Sequence, residues 1–261
     1  MPIQPADIAK QLFERLSLAA GSAEVLDDLE IRRLEREAQK LMKADAWKAH
    51  QVLGALAAIK WDVEGVRAHH EASLKLRASG DAYRNYATSL QLVGQFHEAA
   101  EAIRTASERQ PENITWLRTA IDFTLWEGEV TKAIDLEHEF EKRAPNHESS
   151  SGILNRLLAF IERQRISEGE LQRALGVAFS LLQKRRQRFK EVELSLDDDQ
   201  DTAFFSILIN RPTKEVLALD AELGEAFARE MPDLCPALVI QLETKKSPAP
   251  NANVGQAARS T

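Results

Sequence analysis

The chain has 261 residues, 44% apolar and 29% charged, a composition that suits one large core or two smaller ones in a water-soluble protein. Its net charge of −7 leaves no general basic field to draw nucleic acid or an anionic membrane. A single cysteine, Cys235, excludes an intramolecular disulfide and any multi-cysteine metal site, and it fits a reducing, cytoplasmic setting.

Residues 1–22 open with MPIQPADIAKQLFERL, which has no basic start followed by an apolar run. The stretch reads as a helix rather than a secretory signal. No segment approaches the roughly 20 apolar residues that cross a bilayer. Residues 23–45 predict a second helix, the trailing half of a helical pair that precedes the first complete one.

From there a beat of 34 residues sets in: Ala38, Ala72, Ala106, Phe140 and Ala174 share one register, and Gly65, Ala99 and Ala133 share another. Gly94 and Gly128 fall between two helical patterns, and Pro111 and Pro145 close the units. Tyr83, Tyr86, Ala87 and Leu90 form one apolar face, and Ala99, Ala102, Ile103 and Ala106 the next. Small residues at facing positions let paired helices approach closely, and the proline ends each pair because it cannot extend the hydrogen-bond ladder.

This pattern, clearest in YRNYATSLQLVGQFHEAAEAIRTASERQPEN, resembles the tetratricopeptide repeat, a helix-turn-helix unit that stacks into a superhelix. The units are 46–79, 80–113 and 114–147, within a repeat domain spanning 23–188. In the first unit Lys60 and Arg77 stand where the turn glycine and closing proline are expected. Beyond 147 the match decays into two helices over 151–186, the second opened by a Ser167–Glu170 capping box, as suits the capping end of a stack.

After residue 189 the period changes. Val192, Leu194 and Leu196 alternate with polar residues, and TAFFSILIN (202–210) is β-branched and aromatic, so both read as strands around the acidic loop DDDQD (197–201). Thr213–Arg229 is an amphipathic helix and ALVIQLET (237–244) a third strand, making a small ββαβ element over 189–244. The tail, 245–261, has almost nothing to bury and is expected to be disordered. The expected fold is thus mainly α: an α-α superhelix followed by a small ββαβ element.

The resemblance implies which residues line the concave face. They are Trp47, His50, Gly54 and Ala57 in the first unit, and Asp81, Arg84, Thr88, Gln91 and Leu92 in the second. In the third they are Thr115, Arg118, Asp122, Leu125 and Trp126, and extending the register adds Arg156 and Phe160. Arg84 and Arg118, 34 residues apart, would stack as a guanidinium ladder suited to a carboxylate-bearing or extended peptide. The competing expectation is that Arg118 pairs with Asp122 one helical turn on. The family's charged clamp for terminal carboxylates is not reproduced, since His50, Gly54, Thr88 and Asp122 stand in its place.

Other clusters read as bland. His69 and His70 are adjacent on a helix and diverge by about 100°, so they are expected to serve packing or the surface rather than a metal. Asp197, Asp198, Asp199 and Asp201 lack the glycine and closing glutamate of a calcium loop and read as a solvated hairpin tip. KRRQRFK (184–190) ends a helix, where cations offset the dipole. No nucleophile elbow, phosphate-cradling loop or dinucleotide fingerprint is present. The expectation is a non-catalytic protein or peptide binder that needs no cofactor and no metal and engages neither membrane nor, given its charge, nucleic acid. The alternative is a regulatory protein contacting nucleic acid or a partner enzyme through the basic run and the C-terminal element.

Overall fold

The computed structural model describes residues 5–21 and 26–244. The tail at 245–261 lies outside the described residues. The chain is mainly helical, a helical-repeat domain followed by a small three-stranded sheet.

Helices α1 (Pro5–Gly21) and α2 (Asp28–Leu41) pack on α3 (Ala46–Ile59) through a separate cluster that includes Leu12, Leu16, Leu34, Ala38, Val52 and Leu56. Three hairpins follow: α3 with α4 (Val63–Leu76), α5 (Gly80–Leu92) with α6 (Phe96–Arg109), and α7 (Ile114–Trp126) with α8 (Val130–Arg143). The 34-residue beat is packing in the literal sense, for Ala87, Leu90, Ala99 and Ala106 are all buried, as are Ile121, Thr124, Ala133 and Phe140 one unit later. Side-chain caps start several helices: Asp27, Asp45, Asp62 and Ser79 each accept a hydrogen bond from the backbone three residues on. Pro111 and Pro145 lie in the turns after α6 and α8.

The first unit departs from the expected register by one residue. α3 is a residue longer than α5 and α7, so the left-handed turn residue is Trp61 (φ 60°), not Lys60. Its second helix therefore shifts as well. Val66 and Ser73, rather than Gly65 and Ala72, hold the buried places of Ala99 and Ala106. His70, rather than His69, takes the buried place of Ile103 and Glu137.

A second shift follows the third unit. Seven residues (144–150) separate α8 from α9 (Ser151–Arg163), where four (110–113) separate α6 from α7. The buried Leu117, Ala120, Phe123 and Thr124 are consequently matched by Leu154, Leu157, Phe160 and Ile161, 37 positions on.

Helix α10 (Glu168–Lys184) begins with the expected capping box but does not pair along its length with α9. It runs back across the inter-helix turns of the three hairpins. Glu168 accepts from the Thr131 backbone at 2.9 Å, Gln172 lies against Gly128, and Gln183 donates to the Val93 carbonyl beside Gly94. Just beyond the helix, Arg188 donates to the Ala58 and Ile59 carbonyls at 3.3 and 3.2 Å and stacks over Trp61. Phe179 and Phe189 close the seam against Phe96 and Trp126, with ring centroids 4.3–5.4 Å apart.

The sheet joins the same core. β1 (Glu191–Asp197) pairs antiparallel with β2 (Thr202–Ile209), and β2 pairs parallel with β3 (Leu238–Thr244) through the crossover helix α11 (Thr213–Glu230). β2 is central, which explains why Ala203, Phe205, Ile207 and Ile209 on one face and Ser206 and Leu208 on the other are buried. The main hydrophobic cluster runs without a break from Ala57 in α3 to Leu242 in β3. The sheet is thus an extension of the repeat core rather than a separate one.

Two glycines make the crossing of α10 possible. Gly94 and Gly128 adopt φ of 76° and 78°, and a Cβ at Gly128 would stand 2.8 Å from the Gln172 backbone nitrogen. At Gly94 the nearest neighbour, 3.2 Å away, is the side chain of Gln183. Gly128→Ala is expected to cost about 2 kcal/mol or more, combining left-handed strain with displacement of α10. Gly94→Ala should cost about half as much, because a side chain yields more readily than a backbone. Urea titrations of the two variants compare these costs, and equal losses would mean that α10 does not bear on the third turn.

Candidate functional site

The outward faces of the first helices are the surface on which the sequence placed its candidates, and the structure divides them into two groups. Asp81, Arg84 and Thr88 on α5, Thr115 and Asp122 on α7, and Arg156 on α9 are exposed. The residues that flank this stripe, Ala82, Ala87 and Leu90 on α5 and Trp116, Ala120 and Ile121 on α7, are buried. A polar stripe therefore crosses two consecutive units above a continuous apolar floor.

Within the stripe, Arg84 is the open cation. Its guanidinium donates to the neighbouring Asn85 at 2.9 Å, and among the described residues it forms no ion pair. Asn85 in turn donates to Gln51 of α3, which fixes the α5 face relative to the preceding unit. The Thr88 hydroxyl donates back to the Arg84 carbonyl at 3.0 Å. Asp122 keeps solvent access, yet the protein packed around it pushes its carboxyl up to about 6, with Arg118 opposing the rise and Glu137 adding to it.

The second group has been drawn into internal contacts. Arg118 donates to both carboxylate oxygens of Glu137, to the Ser150 hydroxyl and to the Glu148 carbonyl, and it stacks 4.0 Å above the Phe140 ring. Glu137 is fully buried and also accepts from the Ser150 backbone. Arg118 therefore bolts α7 to α8 and to the start of α9. The expected ladder with Arg84 is replaced by this bolt, and so is the expected pairing with Asp122. The physical reason is that a buried carboxylate, costly to leave uncompensated, claims the nearest guanidinium.

Trp126 is likewise corrected: it is buried against Phe123 and Phe189, inside the seam under α10. Gln91 and Leu92 open onto a small crevice between the second turn and α10, not onto the stripe; its volume is about 20 Å³, room for one water-sized molecule. Trp47 donates its indole N–H to the Arg77 carbonyl and lies under that arginine's guanidinium, which secures the end of α4. Gly54 and Ala57 are buried, and Gly54 faces the imidazole of His70, where a Cβ would stand 2.4 Å from the ring. Phe160 is buried because of the longer loop before α9.

His50 meets His69 across the α3–α4 hairpin, with their Nδ1 atoms 3.2 Å apart. Burial, and next to it His50, hold His69 below its ordinary value. His70 is fully enclosed, stacks on Tyr86 and lies 2.8 Å from the Ser89 hydroxyl, and burial pushes it down to about 3.

The acidic loop is not a free tip. Asp198 pairs with Arg156 at 2.6 Å, and Asp201 pairs with Arg163 and accepts from Gln164, so the β1–β2 turn lies on the outward face of α9. Arg156 thereby meets an internal carboxylate rather than an open groove. Among the described residues no group of three or more histidine, cysteine, aspartate or glutamate side chains gathers to hold a metal ion. The basic run is also partly consumed: Arg185 pairs with Glu222 and Arg188 caps the carbonyl end of α3. Sequence reasoning passed over Arg163 and Gln164; the signal was the charge complementarity between α9 and DDDQD.

No protein-family model matches the chain, and a comparison with curated proteins finds no relative. No helix among the described residues is long and apolar enough to cross a membrane.

The bolt at Arg118 has a measurable worth. Arg118→Ala leaves the Glu137 carboxylate buried without its cation and is expected to lower stability by about 3 kcal/mol. Arg118→Ala with Glu137→Leu should recover most of that loss, because the uncompensated charge goes with it. Guanidinium titrations of both variants check this; a single variant as stable as the parent would remove the bolt.

Proposed function

We propose that the chain is a non-catalytic interaction protein of the tetratricopeptide type that holds an extended segment of a protein partner along the outward stripe of α5 and α7. The observation that carries this reading is the exposed Arg84, a guanidinium with no ionic partner among the described residues, on a face where its counterpart Arg118 has been claimed by Glu137. Asp81, Thr88, Thr115 and Asp122 supply further hydrogen-bonding groups beside it, and the stripe exposes no large apolar side chain. Such a surface favours backbone and polar contacts with an extended chain over the apolar anchors that a docked amphipathic helix requires. One guanidinium flanked by Asp81 and Asp122 suits a segment that carries a carboxylate beside neutral or basic residues. The unpaired Cys235 fits a reducing compartment, and the proposal is for a cytoplasmic protein.

Affinity capture from the native lysate tests the reading, using the intact protein, Arg84→Glu, and Glu108→Lys on the exposed face of α6. Arg84→Glu should reduce recovery of the specific partner about tenfold or more, corresponding to roughly 1.4 kcal/mol. Its circular-dichroism melt should stay close to the parent's. Glu108→Lys should retain the partner. A partner retained by Arg84→Glu, or lost equally in both variants, places the binding surface elsewhere.

A further inference from the structure

Of the histidines in the described residues, only one pair brings two ring nitrogens together. His50, on the first helix of the first hairpin, and His69, on the second, direct their Nδ1 atoms at one another across 3.2 Å, with ring centroids 5.4 Å apart and planes tilted by 41°. Both side chains are half-buried, so they are held by the hairpin yet remain open to solvent. The contact follows from the extra residue in α3. That residue carries His70 into the interior, where Ser89 engages it, and turns His69 to the edge of α3.

We propose that His50 and His69 form a two-ligand site for a divalent transition-metal ion of the zinc class. With metal–nitrogen bonds of about 2.0–2.1 Å, two nitrogens 3.2 Å apart subtend an angle of about 100° at the ion, near the tetrahedral value. Imidazole nitrogens select zinc, nickel or copper over magnesium or calcium, which prefer oxygen ligands. The remaining coordination positions face solvent and take water. In the metal-free pair one Nδ1 carries a hydrogen that it donates to the other. On metal binding that hydrogen moves through solvent to Nε2 of the same ring and both half-buried rings turn off the line that joins them, so that each Nδ1 lone pair points at the ion and the neutral pair loses no net proton.

The site does not depend on the partner-binding stripe. His50 is spent on the α3–α4 edge, while the stripe runs over α5 and α7. The sequence offered no such site because the ligands are 19 residues apart on two helices and match no short motif.

Isothermal titration of the untagged full-length protein with zinc chloride is the direct test, alongside His50→Gln, His69→Gln and the control His97→Gln, whose ring contacts Glu127 instead. Stoichiometric binding is expected in the parent and in the control, with an affinity loss of about tenfold or more in either pair variant. A second measurement on the parent guards against misfolded variants: a small fraction of an equivalent of copper(II) should broaden the ring resonances of His50 and His69 before those of His97, His138 and His147. Magnesium should do neither. No heat up to millimolar zinc, affinity retained in either pair variant, or uniform broadening of all the histidines overturns the proposal.

Discussion

The crossing of α10 over three inter-helix turns is the contact on which the rest of the structure depends. A stack of helical hairpins touches only nearest neighbours, so its stability is a sum of local terms and its ends can open independently. Here one helix returns along the row of turns and touches the third and second at Gly128 and Gly94, and Arg188, just beyond its end, reaches the first at Trp61. Phe179 and Phe189 supply the apolar part of that seam. Arg188 adds a charge at the carbonyl end of α3, where burial lowers its pKa and the negative end of the helix dipole offsets the cost. The strut also leads straight into β1, and the sheet and the repeats share one hydrophobic cluster.

Polar groups buried between the hairpins fix how the units sit on each other. Arg118 and Glu137 do this between α7, α8 and α9, while His70 with Ser89 and Gln51 with Asn85 do it between the first and second units. Arg67 of α4 adds a clamp to Glu98 of α6 and to Gln95 just before that helix, a strong enough pairing to raise the arginine further above its ordinary value. Such pairs contribute less to net stability than to a unique arrangement, because each costs desolvation that only the correct geometry offsets. Their presence separates two arginines at the same place in consecutive units: Arg118 is structural, while Arg84 donates only to the neighbouring Asn85 and forms no ion pair among the described residues.

The hairpins were legible in the sequence because close helix approach demands small residues at fixed spacing, and Ala87, Ala99, Ala106, Ala120 and Ala133 meet that demand. The strands and the helix between them were legible for the same kind of reason, the change of period at Val192. Register was less secure. One extra residue in α3 shifts α4 alone, because a connection one residue shorter before α5 restores the count, and three extra residues in the loop before α9 shift that helix; counting by 34 carries no sign of either. The path of α10 was invisible: its amphipathic pattern and capping box describe a helix equally well whether it pairs with α9 or crosses the turns. The candidate site keeps its expected exposure where a residue's neighbours are local, as at Arg84 and Thr88. It was misread at Arg118, Trp126 and Arg156, whose partners lie on other elements and depend on charge and space brought together by the fold.

Hydrogen–deuterium exchange on the parent and on Phe189→Ala tests the strut most directly. Phe189 touches α10, α6 and α7 at once, so removing its ring should lower amide protection together in α5 through α8, in α10 and in the sheet. Protection lost only near residue 189, with α5 through α8 unchanged, would contradict the account, because the hairpins would then stand without the helix that crosses them.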